Sequence, residues 1–427
     1  MKRFLTICLT FLGCSMNVLS NYDCIIDGIA YNKISSTEFE VTRINGNKNY
    51  EGDIVIPNFV LYKGKNYVVT RIGNEAFEND DIESISLPNT LITIGKKAFE
   101  YCRIRSKKLA IPASLRKVEY CGLHSIIEIE ELYLEDIASW CTIEFENDNA
   151  MNSPLYVRNV TLYLKGKLLE DVVIPDGVTR IAHCSFKSTK IKSVSIPNSV
   201  EYIGDKVFSG TSIKNIKIPY SVKTIGSSVF NRCEQLESIS IPDNVTKLGT
   251  ATLFLNCKSL KNIYLPSTLK RIDDSCFSGC SSLENINIPN TVEVIARQAF
   301  YGCSKMRVIT LPRNLKEMEG GVFEGCDNLD KIIILAETPP KILDHTFTNE
   351  QNKFSTLYVP TNSINLYRNA PKWKNFIDIY DIALKTTSQK KESNIKILYD
   401  LDGIKKTNNG YGLRIIYSDG KYYKTIK

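Results

Sequence analysis

Thirteen cysteines and three histidines are the side chains of this chain best suited to thiol chemistry, metal binding or proton transfer. In an exported protein, so many cysteines invite a disulfide framework or a zinc site. Their spacing argues against both. Cys102, Cys233, Cys257, Cys280, Cys303 and Cys326 each lie three residues after a phenylalanine. A free cysteine behaves as a small buried hydrophobe, so the expectation is a packing column of reduced thiols. Cys276 and Cys280 offer a C-x-x-x-C pair, but Cys276 stands where Ala76, Ala98 and Ala299 stand before other phenylalanines. That is the place of a small core residue. His124, His183 and His345 fall in three different segments, with no metal-ligand partner at helical or finger spacing. No nucleophile elbow and no phosphate-binding glycine loop occurs. The chain is therefore read as a non-enzyme with no metal and no cofactor.

The elements that carry these residues repeat. The segments 236–249, 260–273, 283–296 and 306–319 each run apolar-x-x-apolar-x-apolar-Pro, followed by an apolar pair and then Phe254, Phe277, Phe300 or Phe323. Pro197, Pro219, Pro242, Pro266, Pro289 and Pro312 are 22, 23, 24, 23 and 23 residues apart. The long step has one extra residue between Thr250 and Leu253. Such a segment cannot bury its apolar side alone. Stacked at about 4.8 Å per strand, however, the copies share one core. About ten coils would build a continuous sheet on the order of 45–50 Å long. Proline ends each strand where no further ladder bond is needed, and phenylalanine fills the opposite side.

The run x-x-Ile-x-Ile-Pro-x-x-Val-x-x-Ile-Gly-x-x-x-Phe-x-x-Cys resembles the BspA-type leucine-rich repeats of bacterial surface antigens. The resemblance implies a mainly β solenoid with short irregular or helical turns over about residues 67–335. It implies a β-rich entry cap over 21–66 and a closing cap over 336–381. One break interrupts the repeats between Pro112 and Pro175; it resembles a long variant repeat of the same family, about 123–175. A hairpin is expected at Lys165-Gly166-Lys167. Trp140 and Tyr156 in this break are either a ligand-binding aromatic pair or packing for an enlarged coil.

The ends point to export. Lys2 and Arg3 precede the short apolar run Phe4 to Gly13, with small residues near Ser20, so 1–20 reads as a signal peptide. Cys14 is the alternative, a lipid-attachment cysteine. The apolar run is too short to span a bilayer, and no later segment approaches the length. Residues 382–393 form a polar, basic linker. Residues 394–427 resemble the short sorting domains of proteins exported by the type IX route, or are simply a small β module, with a hairpin at Ser418-Asp419-Gly420. Of the net charge of +7, the stretch from Lys385 onward supplies +6. The rest is near neutral and makes no electrostatic case for nucleic acid.

Function is then sought on the outward strand face. One column there is Lys217, Ser240, Tyr264, Asn287 and Thr310. These are mostly small and polar, with Tyr264 as an amphipathic anchor. Beside it runs Lys192, Lys214, Glu237, Lys261, Glu284, Arg307 and Asp330, whose sign alternates from Lys214 onward, suggesting an ion-pair ladder. The partner expected is an extracellular protein or glycan, bound by a monomer at the cell surface. The second hypothesis is a passive structural component of that surface.

Overall fold

Alternation in the apolar-x-apolar-Pro segment sends Ile239 and Ile241 into the core and leaves Ser238 and Ser240 outside. In-register parallel pairing of Ser238–Ser240 with Asn215–Lys217 and with Asn262–Tyr264 stacks three such coils. The computed structural model describes residues 22–44, 49–124, 126–156, 159–250 and 252–383, and the backbone of 413–418 and 421–426. Residues 1–20, read from the sequence as a signal peptide, with Cys14, and most of residues 382–427, read as linker and tail, lie outside the described residues. Strands Leu413–Ser418 and Lys421–Ile426 pair antiparallel about the expected hairpin. The described chain is a mainly β solenoid of about 13 turns, more than the ten expected from the repeats, because the break contributes Glu131–Leu134 and Thr161–Leu164 and the ends add turns of their own.

Each coil has three sides. After the proline, a tight turn (Val222 N–H to Pro219 O, 3.1 Å; Val245 N–H to Pro242 O, 3.1 Å) brings the chain round. It then enters a second, two-residue strand. Thr224–Ile225 pairs parallel with Tyr202–Ile203 on one side and Lys247–Leu248 on the other. The repeat pattern predicts only one strand in each coil, so this second one is a finding of the structure. Behind this ladder the coils approach closely: a Cβ on Gly204 would lie 2.8 Å from the backbone nitrogen of His183.

The third side is the phenylalanine corner. Phe186, Phe208, Phe230, Phe254, Phe277, Phe300, Phe323 and Phe347 form one column of stacked rings, with centroids 5.2–6.0 Å apart and interplanar angles of 3–20°. A left-handed residue lies two places before and two places after most of these rings. Ser228 and Arg232, both at φ +57°, bracket Phe230, and Ser275 and Gly279 bracket Phe277. The reversals let a single turn of chain swing the ring inward and leave again at the same level.

The cysteines stand three residues after the rings, and they bolt coil to coil. The thiols of Cys233, Cys257, Cys280, Cys303 and Cys326 donate to the carbonyls of Phe208, Phe230, Phe254, Phe277 and Phe300 in the preceding coil, at 3.0–3.2 Å. All described cysteines are free and, apart from Cys24, buried. Burial pushes the Cys280 thiol up to about 12 and Cys233 up to about 11, so the inert thiol form prevails.

One expectation fails. The strand face is not a single sheet but a row of shorter ladders. In the coil around Leu283 to Pro289 only Asn287 makes a bridge, to Thr310. A three-residue strand has few ladder bonds, so a small shift in register removes the pairing while the core beneath stays stacked.

The ends are closed differently. At the entry, Cys24–Ile26, Ile29–Lys33 and Glu38–Thr42 form an antiparallel meander. Its last strand pairs parallel with Lys65–Ile72, whose end feeds the second ladder through Thr93–Ile94. Parallel pairing on the strand face already begins at Asp53–Val55 against Ser84–Ser86, inside the segment read as cap. At the exit, helix Asn349–Phe354 carries a capping box from Thr348 and Gln351. Gln351 Nε2 donates to Phe323 O at 2.8 Å, supplying the bond that a next cysteine would have made.

Candidate functional site

The outward residue just before the inward apolar position and the proline defines one column on the strand face. Pairing aligns Lys217, Ser240 and Tyr264 in register, and Asn287 with Thr310. The ladder between Tyr264 and Asn287 is interrupted among the described residues. Lys217 and Asn287 are exposed, Ser240 and Thr310 half-buried, and Tyr264 is 41% exposed. Tyr264 Oη lies 3.5 Å from an Asp243 carboxylate oxygen, while the other oxygen accepts the Ser267 N–H at 2.6 Å. The Tyr264 hydroxyl thus sits beside a carboxylate of the preceding coil.

The equivalent strand position carries tyrosines in other, separate ladders. Tyr133 pairs in register with Tyr163, and Thr310 leads through Ile333 to Tyr358 and Tyr380. The Tyr133 and Tyr163 rings stack at 4.7 Å with an interplanar angle of 11°. Tyr133 Oη donates to Glu131 at 2.6 Å, and Lys108 closes on the same carboxylate at 3.3 Å. The Tyr133 bond, with Lys108 behind it, holds the Glu131 carboxyl below its ordinary value. The result is a flat aromatic platform beside a satisfied ion pair. Tyr358 and Tyr380 form a looser pair at 6.3 Å. These tyrosines had a sequence signal: Leu-Tyr-Leu at 132–134 and 162–164 and Leu-Tyr-Val at 357–359 match Ile-Tyr-Leu around Tyr264.

The BspA-type leucine-rich-repeat region matches in six copies over residues 70–161, 159–284 and 251–376. The chain belongs to that family. This BspA-type protein is similar to a leucine-rich-repeat protein of Bacteroides ovatus, at 23% identity over 84% of this chain and 98% of that one, with a TM-score of 0.43. A leucine-rich cell-surface protein of Faecalibacterium prausnitzii is 21% identical over 73% and 94% of the two chains, TM-score 0.42. The pneumococcal vaccine antigen PcpA is 16% identical over 83% and 96%, TM-score 0.46. No curated protein matches the chain. The family is one of repeat proteins with a structural or binding fold, not a known enzyme family. Among the described residues, no helix is long and apolar enough to cross a membrane.

Three readings of the BspA-type chain need correction. Trp140 is only 3% exposed, and its Nε1 donates to Ser185 O at 2.8 Å. It packs the enlarged coil and cannot meet a ligand from outside. Tyr156 lies apart, half-buried under the Lys206 ammonium at 4.2 Å from its ring centre. The alternating charge ladder forms only at its last step among the described residues. Arg307 reaches Asp330 at 3.3 Å and Lys192 reaches Glu170 at 2.8 Å. No ion pair within 4.0 Å joins Lys214, Glu237, Lys261 and Glu284 among the described residues. These residues lie just ahead of the short strands, where water and side-chain entropy outweigh an exposed pair. Charges do pair between coils at other corners, as in Lys223–Glu201 at 2.8 Å and Lys316–Glu293 at 2.6 Å. Finally, His124 is not without potential co-ligands. Cys121 precedes it by three residues, and Glu100 of the preceding coil joins them.

Proposed function

We propose that this protein is exported, held at the bacterial cell surface, and binds an extracellular protein or glycan through its strand face. The observation that carries the reading is the recurrence of Tyr133 with Tyr163, of Tyr264, and of Tyr358 with Tyr380 at the same outward strand position in three separate ladders, with Lys217, Ser240, Asn287 and Thr310 at that position in coils between them. Tyrosine offers a broad apolar ring with a polar tip at low entropic cost, which suits both protein and sugar partners. Lys217, Ser240, Asn287 and Thr310 supply hydrogen bonds between the anchors. A 1–20 signal peptide and a tail with sorting character fit this placement.

The test is a screen of the full mature chain against host matrix proteins and glycans, followed by Tyr264→Ala and a Tyr133→Ala/Tyr163→Ala double variant. At least one should weaken saturable binding about tenfold or more, as loss of an interface anchor does, with the melting temperature nearly unchanged. Undiminished binding in both variants would move the site off this face. Absence of any saturable partner would leave a passive structural role.

A further inference from the structure

The corner around each column ring puts the residue two before the ring beside the residue one after it. In the coil of Phe99 these are Lys97 and Glu100, whose N–H bonds to Lys97 O at 3.0 Å and whose carboxylate pairs with the Lys97 ammonium at 2.9 Å. In the next coil Leu123 takes the place of the ring, and the same two positions are Cys121 and His124. The backbone repeats the turn: Cys121 is left-handed at φ +56°, as Lys97 is at +55°, and His124 N–H bonds to Cys121 O at 3.2 Å. Bonds from Lys97 N–H to Tyr120 O at 2.8 Å and from Phe99 N–H to Gly122 O at 3.1 Å hold the two corners in register. His124 therefore stands directly after Glu100 in the stack.

The consequence is a convergence of three different donors. One Glu100 carboxylate oxygen, Cys121 Sγ and one His124 ring nitrogen all lie within 4.8 Å of one another. Cys121 is buried, while Glu100 and His124 are half-buried at the edge. The enlarged coil braces this corner from its other side. The fully buried Asn152 accepts the Cys121 N–H at 2.8 Å and itself donates to Glu146 O at 3.1 Å. We propose that Glu100, Cys121 and His124 form a three-ligand site for a divalent cation of the zinc class, with the fourth position open to water.

The donor set decides the class of ion. One sulfur, one imidazole nitrogen and one carboxylate suit a borderline-soft ion, whereas calcium and magnesium require mainly oxygen. Tetrahedral bonds of ordinary length would set the donors about 3.3–3.6 Å apart. Side-chain rotation that draws the donors together from their present separation, within 4.8 Å, would complete the set. Binding sends the Cys121 thiol proton to solvent. It also releases Lys97, whose side chain is 33% exposed and can turn outward to water. Lys97 is thus the built-in competitor of the cation. The ion would clamp the last regular coil before the enlarged one to the corner that starts it.

The experiment uses the full mature chain, stripped with chelator and titrated with Co2+. Wild type should take up one equivalent, with a thiolate-to-cobalt charge-transfer band in the near ultraviolet. Cys121→Ser should lose the band, while Cys280→Ser, in the bolting column, should keep it. His124→Ala and Glu100→Gln should weaken uptake at least about tenfold, since even outer-shell changes cost that much. Lys97→Met should tighten it. Absence of a thiolate band in wild type, or its persistence in Cys121→Ser, would overturn the assignment. Should Cys121→Ser fail to fold, unchanged affinity in both His124→Ala and Glu100→Gln would overturn it equally.

Discussion

The coils from Phe186 to Phe347 and the stretch from Phe99 to Phe186 start from the same repeat and close their cores differently. In the first region, each ring from Phe208 to Phe323 lies between two others, and the thiols of Cys233, Cys257, Cys280, Cys303 and Cys326 each have a carbonyl one coil back. In the second, Leu123 replaces the ring, and helix Ile137–Thr142, capped by the Asp136 side chain, takes the place of a corner. Strands Glu131–Leu134 and Thr161–Leu164 both join the strand face, and a hairpin to Lys167–Leu168 ends that ladder. The second ladder also stops at Glu144–Phe145 and resumes at Arg180–Ile181, with Ala182 N–H bonded to Cys141 O at 2.7 Å across the helix. Regular coils gain cohesion from identity with their neighbours. The enlarged coil gains it from specific contacts such as Trp140 to Ser185, and it interrupts all three sides at nearly the same level.

The largest effect should come from breaking the ring column. Phe300→Ala should cost about 3–5 kcal/mol, as for other buried aromatic truncations, read as a shift in urea midpoint. Amide exchange should accelerate around Phe254 to Phe347 and stay slow around Ile72 to Ile104. Equal acceleration on both sides would show that the enlarged coil is no boundary. An unchanged midpoint would remove Phe300 from the core.

A second test compares the same position at the end and the middle of the stack. Asp80 stands three residues after Phe77, where later coils carry cysteine, and is 3% exposed. Burial drives its carboxyl from 3.8 up to about 7, although the Tyr50 N–H and the Arg43 charge favour the anion. A folded value above the unfolded one means that the protonated acid is favoured on folding. Its contribution is complete below about pH 4 and is lost as the pH rises through about 7. Wild type should therefore lose on the order of a few kcal/mol between mildly acidic and alkaline solution, and Asp80→Asn should flatten that slope. Glu119, whose value is lowered chiefly by its bond to Arg71, acts in the opposite sense but only at more acidic pH. A slope identical in Asp80→Asn would assign it to another group.

The smallest effect tests whether regular corners are interchangeable. Arg232 is left-handed at φ +57°, where Gly210, Gly279, Gly302 and Gly325 stand in other coils. A side chain there pays about 1–2 kcal/mol that glycine avoids, less the greater freedom glycine loses on folding. Arg232→Gly should stabilise by about 0.5–1 kcal/mol, seen as a higher melting temperature. A lower one would mean that Arg232 makes contacts the other corners lack.

The fold was legible because its determinants are periodic. Phe, Pro and Cys at fixed offsets reveal the coil, its strand and its thiol column without any knowledge of distant contacts. The second ladder was harder to see. Two-residue strands such as Thr224–Ile225 carry too little alternation to stand out, and the Ile-Gly pair that marks them serves close packing. The strand-face position is legible at Tyr264 but obscured at Tyr133 and Tyr163, whose strands run into Glu135 and Lys165 instead of proline, and at Tyr358, which lies beyond the regular Phe-x-x-Cys repeats. The Cys121–His124–Glu100 convergence joins two coils, and its third member becomes a neighbour only once the register is known. The charge column was misread for a physical reason: alternating sign along exposed positions does not by itself overcome hydration.

Two tryptophans occur in the whole chain, and they stand at the opposite ends of the long ring column. Trp140 is hydrogen-bonded to the residue before Phe186, and Trp373 lies 5.6 Å from Phe347. Optically, the solenoid is an array of weak chromophores with a strong, red-shifted emitter near each terminus. Each indole also reports its own surroundings, since both are buried and donate to a single carbonyl. Excited beyond tyrosine absorption, a chain keeping only one of them would give indole emission from one end of the column alone, so fraying at its entry and fraying at its exit become separate signals.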